Sequence, residues 1–297
     1  MNHEQYASVV NALFPGGILE AVTRLTGGVS ADVHRLDVKM PDDNTTSVVL
    51  RRHGASHSGH SAELEYQLLR ALHGGGLPVP QPLFVDVSGR LLGNPFLVMS
   101  FVEGTTAISA GPEDPRIETM AAVLARIHGM PTAGLPPLPS RNDPLPEVFD
   151  FLPEGAEWED LRAHLRSMAD TEYSGPSTLL HGDFWPENLL WRNRDVAAIL
   201  DWEDAALGDP LSDVACCRVE LRYKFGSAGM QRFTEAYARH RVVDRERLAL
   251  WEVYVASAGQ RSMGEWRLAP TLEAHMRREA LASIREAGAV LMGRTTP

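Results

Sequence analysis

Short apolar runs broken by turn residues fill the first hundred positions, and apolar residues spaced three and four apart fill most of the remainder. Segments 22–25 and 33–38 read as strands around the turn 26–32, and 47–50 follows the polar turn 41–46 as a third strand. A Gly/Ser/His loop over 53–61 leads into a helical pattern at 62–72, closed by Gly74, Gly75 and Gly76. A Pro-punctuated segment, a turn at Ser88-Gly89 and the apolar run 94–104 complete a strand-rich first region with one main helix. From there helices dominate. Ile117, Met120, Ala121, Leu124 and Ile127 share one helical face, and further helical stretches are expected near 211–224, 228–240, 245–260 and 271–292. The Pro-rich stretch 131–153 reads as a surface excursion, with a substrate lid as the alternative. The pattern predicts an α+β chain of two lobes, 1–103 and 104–297, with the boundary near Gly104.

Bulk properties narrow the classes. The chain has 297 residues, 44% hydrophobic and 23% charged, as an ordinary globular protein does. No run approaches the roughly 18 apolar residues of a membrane span. The amino terminus lacks the basic and apolar regions of a secretion signal, so a cytoplasmic protein without membrane contact is expected. Cys216 and Cys217, adjacent in sequence, offer no disulfide framework and read as small residues on a packed helix. The net charge of −11 argues against nucleic acid and mildly favours cationic small molecules. Lys39 and Lys224 are the only lysines. The histidines of the 53–61 loop lack the spacing of a metal site.

The chemistry concentrates in 179–191, where His181-Gly182-Asp183 and Asn188 interrupt apolar segments. The following residues read as a hairpin with a four-residue turn, 192–195, in which Trp191 faces Val196 and Asn188 faces Ile199. Alternation then puts Asp201 on the same ribbon face as Asn188, roughly 7–8 Å away. Two oxygen-bearing side chains at that spacing suit Mg²⁺, which takes few protein ligands and leaves the rest to phosphate and water. Asp183, five residues before the amide, is placed to accept a proton from an attacking hydroxyl. An Asp, an Asn five residues on and a further metal-binding Asp are the parts of phosphoryl transfer.

With His181 to Asn188, the segment 198–215, the first-region turn and the run at 95–104, the chain resembles the aminoglycoside phosphotransferase and choline kinase-like family over nearly its full length. That resemblance implies a protein-kinase-like fold whose small first lobe cradles ATP or GTP and joins the second at a hinge over about 99–104. Gly27, Gly28 and Ser30 would face the phosphates, Ser100 and Val102 at the hinge the base, and Arg51 would stand where the fold usually carries Lys. Glu65 is its expected partner: it lies on the stripe of Leu68, Leu69 and Leu72, whereas Glu63 faces away, and a carboxylate on an apolar face needs a partner. Arg52 points oppositely. His181 is expected to position the loop, while Asp209, an N-cap before Pro210, and Asp213 brace it. Trp185, Glu187, Glu203, Asp204, Glu265 and Trp266 are candidate acceptor contacts.

The function these readings imply is Mg²⁺-dependent transfer of the nucleotide γ-phosphoryl to a small hydroxyl acceptor, an aminoglycoside or another cation, by a monomer or homodimer. A choline, ethanolamine or macrolide kinase and a non-catalytic nucleotide-binding protein stay open as alternatives.

Overall fold

The computed structural model describes residues 3–25, 31–54, 59–108 and 111–294. Its amino-terminal region is an antiparallel five-stranded sheet: β1 (Ile18–Arg24), β2 (Ala31–Lys39), β3 (Thr45–His53), β4 (Pro82–Asp86) and β5 (Phe96–Ser100), in the order β1-β2-β3-β5-β4. Alternation sorts its faces. Leu36, Val38, Val48, Leu50, Phe96 and Val98 pack on one side with Tyr6, Val9 and Val10 of α1 (His3–Leu13). Leu97 and Met99 turn to the other side, where α2 (Ala62–Gly74) buries Leu68, Leu69 and Leu72. Helix α1 corrects the expectation of a single helix in this region. It is only 11 residues long and owes its place to three buried side chains that the sheet supplies with partners.

The carboxy-terminal region is mostly helical: α3 (Arg116–Ile127), α4 (Leu145–Phe151), α5 (Glu159–Ser167), α6 (Pro210–Ala238), α7 (Arg245–Ser262) and α8 (Pro270–Leu291). Helix α6 contains the two stretches read separately from the sequence; Gly226, at φ 69°, breaks its geometry between them. One core joins α2, α3, α6 and α7 across Trp191 and Trp202, and a second lies among α4, α5, α7 and α8. Asp209 caps α6, accepting from Leu211 N–H at 3.0 Å, with Pro210 at the first helical position.

The Pro-rich stretch is not a surface excursion. Its β6 (Ser140–Arg141) runs parallel to β10 (Ala206–Gly208), which pairs antiparallel with β7 (Thr178–Leu180). A Cβ on Gly208 would lie 2.1 Å from the Arg141 carbonyl oxygen, so the strands can meet this closely only at glycine. Backbone pairing of two residues leaves no trace in hydrophobic periodicity.

Leu50, at 0% exposure, is enclosed between α1 and the sheet. Leu50→Ala should lower stability by about 2–5 kcal/mol, measured by denaturant unfolding.

Candidate active site

The loop from β7 to the hairpin β8 (Leu189–Arg192) and β9 (Asp195–Ile199) is held from beneath. Asp213, fully buried in the first turn of α6, accepts from His181 N–H at 2.7 Å and Gly182 N–H at 2.9 Å. Its second oxygen also faces His128 Nε2 at 3.1 Å, and Tyr237 Oη lies 2.7 Å from His128 Nδ1. Burial pushes the Asp213 carboxyl upward, but His128, His181 and the backbone donors outweigh it and hold it low. Burial lowers His128 against the pull of Asp213. His181 Nε2 donates to Leu200 O at 2.9 Å, leaving Nδ1 to accept from Asp183 N–H at 3.3 Å. Its ring packs on Trp202, centroids 4.6 Å apart. Gly182, at φ 87°, allows no side chain: a Cβ would sit 2.0 Å from Asp204 O.

Asp183 emerges from this frame opposite Asn188, whose Nδ2 donates to Asp183 Oδ2 at 3.0 Å and to Asp183 O at 2.9 Å. Burial raises the Asp183 carboxyl, with Asp204 and Asp201 adding to the effect and His181 and Asn188 opposing it. The amide nitrogen being spent on Asp183, Asn188 Oδ1 is its remaining polar atom.

The hairpin differs from its expected form. The turn has two residues, Asn193 and Arg194, with Asn193 at φ 61°. Trp191 does face Val196, but a bulge at Ala197 pairs Leu190 with Ala198 and brings Leu189, not Asn188, opposite Ile199. Asn188 ends a 3₁₀ turn, Pro186–Asn188, and its carbonyl accepts from Leu200 N–H at 2.8 Å. Asp201 adopts φ 60°, a left-handed conformation that Asp tolerates better than most residues. The two side chains thus reach the same cleft through a bulge and a left-handed residue rather than through strand alternation.

That cleft, about 550 Å³, lies between the sheet and the loop and is lined by Arg51, Glu65, Ser100, Val102, Asn188 and Asp201, with Trp185 and Glu187 also on its wall. Arg51 extends from β3 toward α2. Its guanidinium is 2.9 Å from Asp201 Oδ1, 3.5 Å from Glu65 Oε2 and in contact with Glu203. Burial would lower its pKa; the three carboxylates outweigh that and keep it charged. Glu65 is 2% exposed and also faces His53 at 3.0 Å, whereas Glu63 is exposed. Arg52 points away, to Asp32 at 3.0 Å. Ser100 spends its N–H on Gln81 O at 2.8 Å. The chain leaving β5 then pairs with the hairpin: Thr105 and Trp191 exchange two backbone bonds of 3.0 and 2.8 Å.

Gly27, Gly28 and Ser30 lie outside the described residues. The Glu203 side chain contacts Arg51, and its carbonyl accepts from His60 N–H at 3.0 Å. Asp204 is exposed beside Gly182. Glu187 pairs with Lys224 at 2.9 Å. Glu265 and Trp266 do not line the cleft; Trp266, 41% exposed, borders Gly259 of α7. Two neighbours of the loop escaped the sequence reading. Arg141 donates to Gly182 O at 3.0 Å, and its dipeptide strand carries no periodic signal. Cys216, 4.0 Å from Asp183 Oδ1, follows Asp213 at helical spacing, which could have pointed to it.

A loop carrying Asp183 and Asn188 beneath a strand-rich lobe with a buried Arg–Glu pair is the arrangement of a protein-kinase-like fold. The chain belongs to the phosphotransferase enzyme family, whose sequence profile matches residues 21–251. It is 28% identical over 216 residues to the aminoglycoside 3'-phosphotransferase of Streptomyces fradiae, covering 66% of this chain and 77% of that one. It is 31% identical over 178 residues to acyl-CoA dehydrogenase family member 10 of Mus musculus, covering 53% of this chain but only 16% of that much longer protein. Its fold matches that of aminoglycoside phosphotransferase APH(4)-Ia, solved as a ternary complex with AMP-PNP and hygromycin B, at a TM-score of 0.64, 15% identity and coverage of 96% and 99%. No helix among the described residues is long and apolar enough to cross a membrane.

Asp213→Ala should cost about 3–5 kcal/mol, since it strands two buried amides and an imidazole. Because the folded carboxyl is held below its unfolded value of about 3.9, its contribution is complete above that pH. It disappears as pH falls through the lower folded value. The wild-type stability curve should therefore fall more steeply below pH 4 than that of the variant, in urea titrations at stepped pH.

Proposed function

We propose that the protein is a Mg²⁺-dependent small-molecule kinase that moves the γ-phosphoryl of ATP, or GTP, to a hydroxyl of a small acceptor. The observation that carries this reading is the pairing of Asp183 with Asn188, with Asp201 across the same cleft. The relatives named above, one of them solved with AMP-PNP and hygromycin B, support the nucleotide and the hydroxyl acceptor. Asp183 takes the acceptor's proton as its oxygen attacks; the raised carboxyl is a better base than an ordinary Asp. Asn188 Nδ2 holds that carboxylate in one orientation. Asn188 Oδ1 and the Asp201 oxygen not engaged by Arg51 are hard donors that fit a single Mg²⁺. When bound there, the ion neutralises charge on the transferring phosphates. Arg51, fixed by Glu65, presents its charge to the nucleotide side of the cleft, and the chain at Ser100 and Val102 lies where a base would rest.

Nucleotide consumption should depend on an acceptor drawn from aminoglycosides, macrolides, choline, ethanolamine and small sugars. Asp183→Ala should lower kcat by about 10²–10⁴-fold while nucleotide still binds. Tight nucleotide binding with no transfer to any acceptor would favour a non-catalytic nucleotide-binding protein.

A further inference from the structure

Both lobes grip Arg51, and unequally. Nη1 lies 2.9 Å from Asp201 Oδ1 and Nη2 contacts Glu203, whereas Nε stands 3.5 Å from Glu65 and makes no hydrogen bond among the described residues. The fork of the guanidinium is therefore closed on residues 201 and 203 of the second lobe, and the α2 carboxylate holds it by charge without a hydrogen bond. The two closing carboxylates differ in place. Asp201 lines the cleft, with its side chain 26% exposed; Glu203 is not on the cleft wall and is 14% exposed.

Glu203 is also fixed from behind. Its carbonyl accepts from His60 N–H, and His60 Nε2 lies 2.8 Å from Ala205 O. A Cβ on Gly59 would lie 2.6 Å from Glu203 Cβ, so the chain entering α2 packs directly on this residue. Glu203 thus meets the sheet through Arg51 and the lead into α2 through Gly59 and His60. These contacts put the charge of Arg51 under competition. A guanidinium matched by two carboxylates on one side offers little net attraction to a nucleotide phosphate. Once Asp201 also serves a metal ion its negative charge is shared, and its hold on Nη1 weakens. Glu203, behind the cleft wall, keeps Nη2.

We propose that Glu203 is a positioning residue that makes nucleotide binding depend on the metal. With Asp201 it withholds the charge of Arg51 from a metal-free nucleotide; with Asp201 on the metal it anchors Nη2 and leaves Nη1 for a phosphate. The inference rests on the kinase reading and adds an order of events to it, in which metal and nucleotide enter together. Glu203 then serves the nucleotide side of the cleft and not the acceptor.

Calorimetric titration of the full chain with AMP-PNP, once in excess Mg²⁺ and once in EDTA, tests this through the ratio of the two affinities. Melting temperature verifies that each variant is folded. Glu203→Gln keeps the size of the side chain and removes its charge. Affinity in EDTA should rise about fivefold or more, affinity in Mg²⁺ should not rise, and the ratio should shrink. Arg51→Lys replaces the fork by a single ammonium that cannot close on both carboxylates, so adding Glu203→Gln to it should change the ratio less. Three results would overturn the role: equal losses in Mg²⁺ and EDTA, no gain in EDTA, or the same change of ratio in both backgrounds, which would mean that Glu203 simply repels phosphate. Failure of the kinase reading looks different: the ratio behaves as expected, yet no phosphoryl group reaches any acceptor.

Discussion

One buried carboxylate holds the active-site loop in shape. Asp213 gathers the amides of His181 and Gly182 and the imidazole of His128, joining the end of α3, the loop and α6 at a single point. A charge so deep is costly, and it persists because every neighbour donates to it. Asp183 inherits its direction from that arrangement. Gly182 turns where only glycine fits, His181 is fixed in one tautomer by Leu200 and Asp183, and Arg141 holds the Gly182 carbonyl from β6. The position of the Asp183 carboxyl is therefore decided by residues packed behind the loop.

A second polar cluster joins the two lobes. Arg51 arrives from the sheet, Glu65 from α2, and Asp201 and Glu203 from the segment after the hairpin. A lysine could offer one point of charge; the planar fork of Arg reaches several carboxylates at once. His60 adds backbone contacts on the same segment, to Glu203 O and Ala205 O. Arg51 thus gathers three carboxylates from three separate parts of the chain.

What the sequence made legible was local. The phase of α2 separated Glu65 from Glu63, and the long helices followed from spacing alone. The features it hid depend on partners distant in the chain. The two residues of β6 gain meaning only beside β10, and α1 only against the sheet. Asn188 and Asp201 both line the cleft, but through a bulge at Ala197 and a left-handed Asp201 rather than through the register that alternation predicts. Adjacency to Asp201 makes Glu203 an acceptor candidate in the sequence, whereas its contact with Arg51 is visible only in the fold. Trp266, an acceptor candidate only through the family resemblance, sits beside Gly259, outside the cleft.

The break at Gly226 separates two parts of α6. The residues of α6 that touch the loop, Asp213, Cys216 and Lys224, lie before it, while Phe233, Ala236 and Tyr237 beyond it pack into the central core and Tyr237 reaches His128. With φ at 69° and no atom within 4 Å of where a side chain would begin, Gly226 acts as a joint rather than a packing contact. A change of direction at this joint lets the two halves of one long helix serve different neighbours, the first half reaching the loop and the second the end of α3.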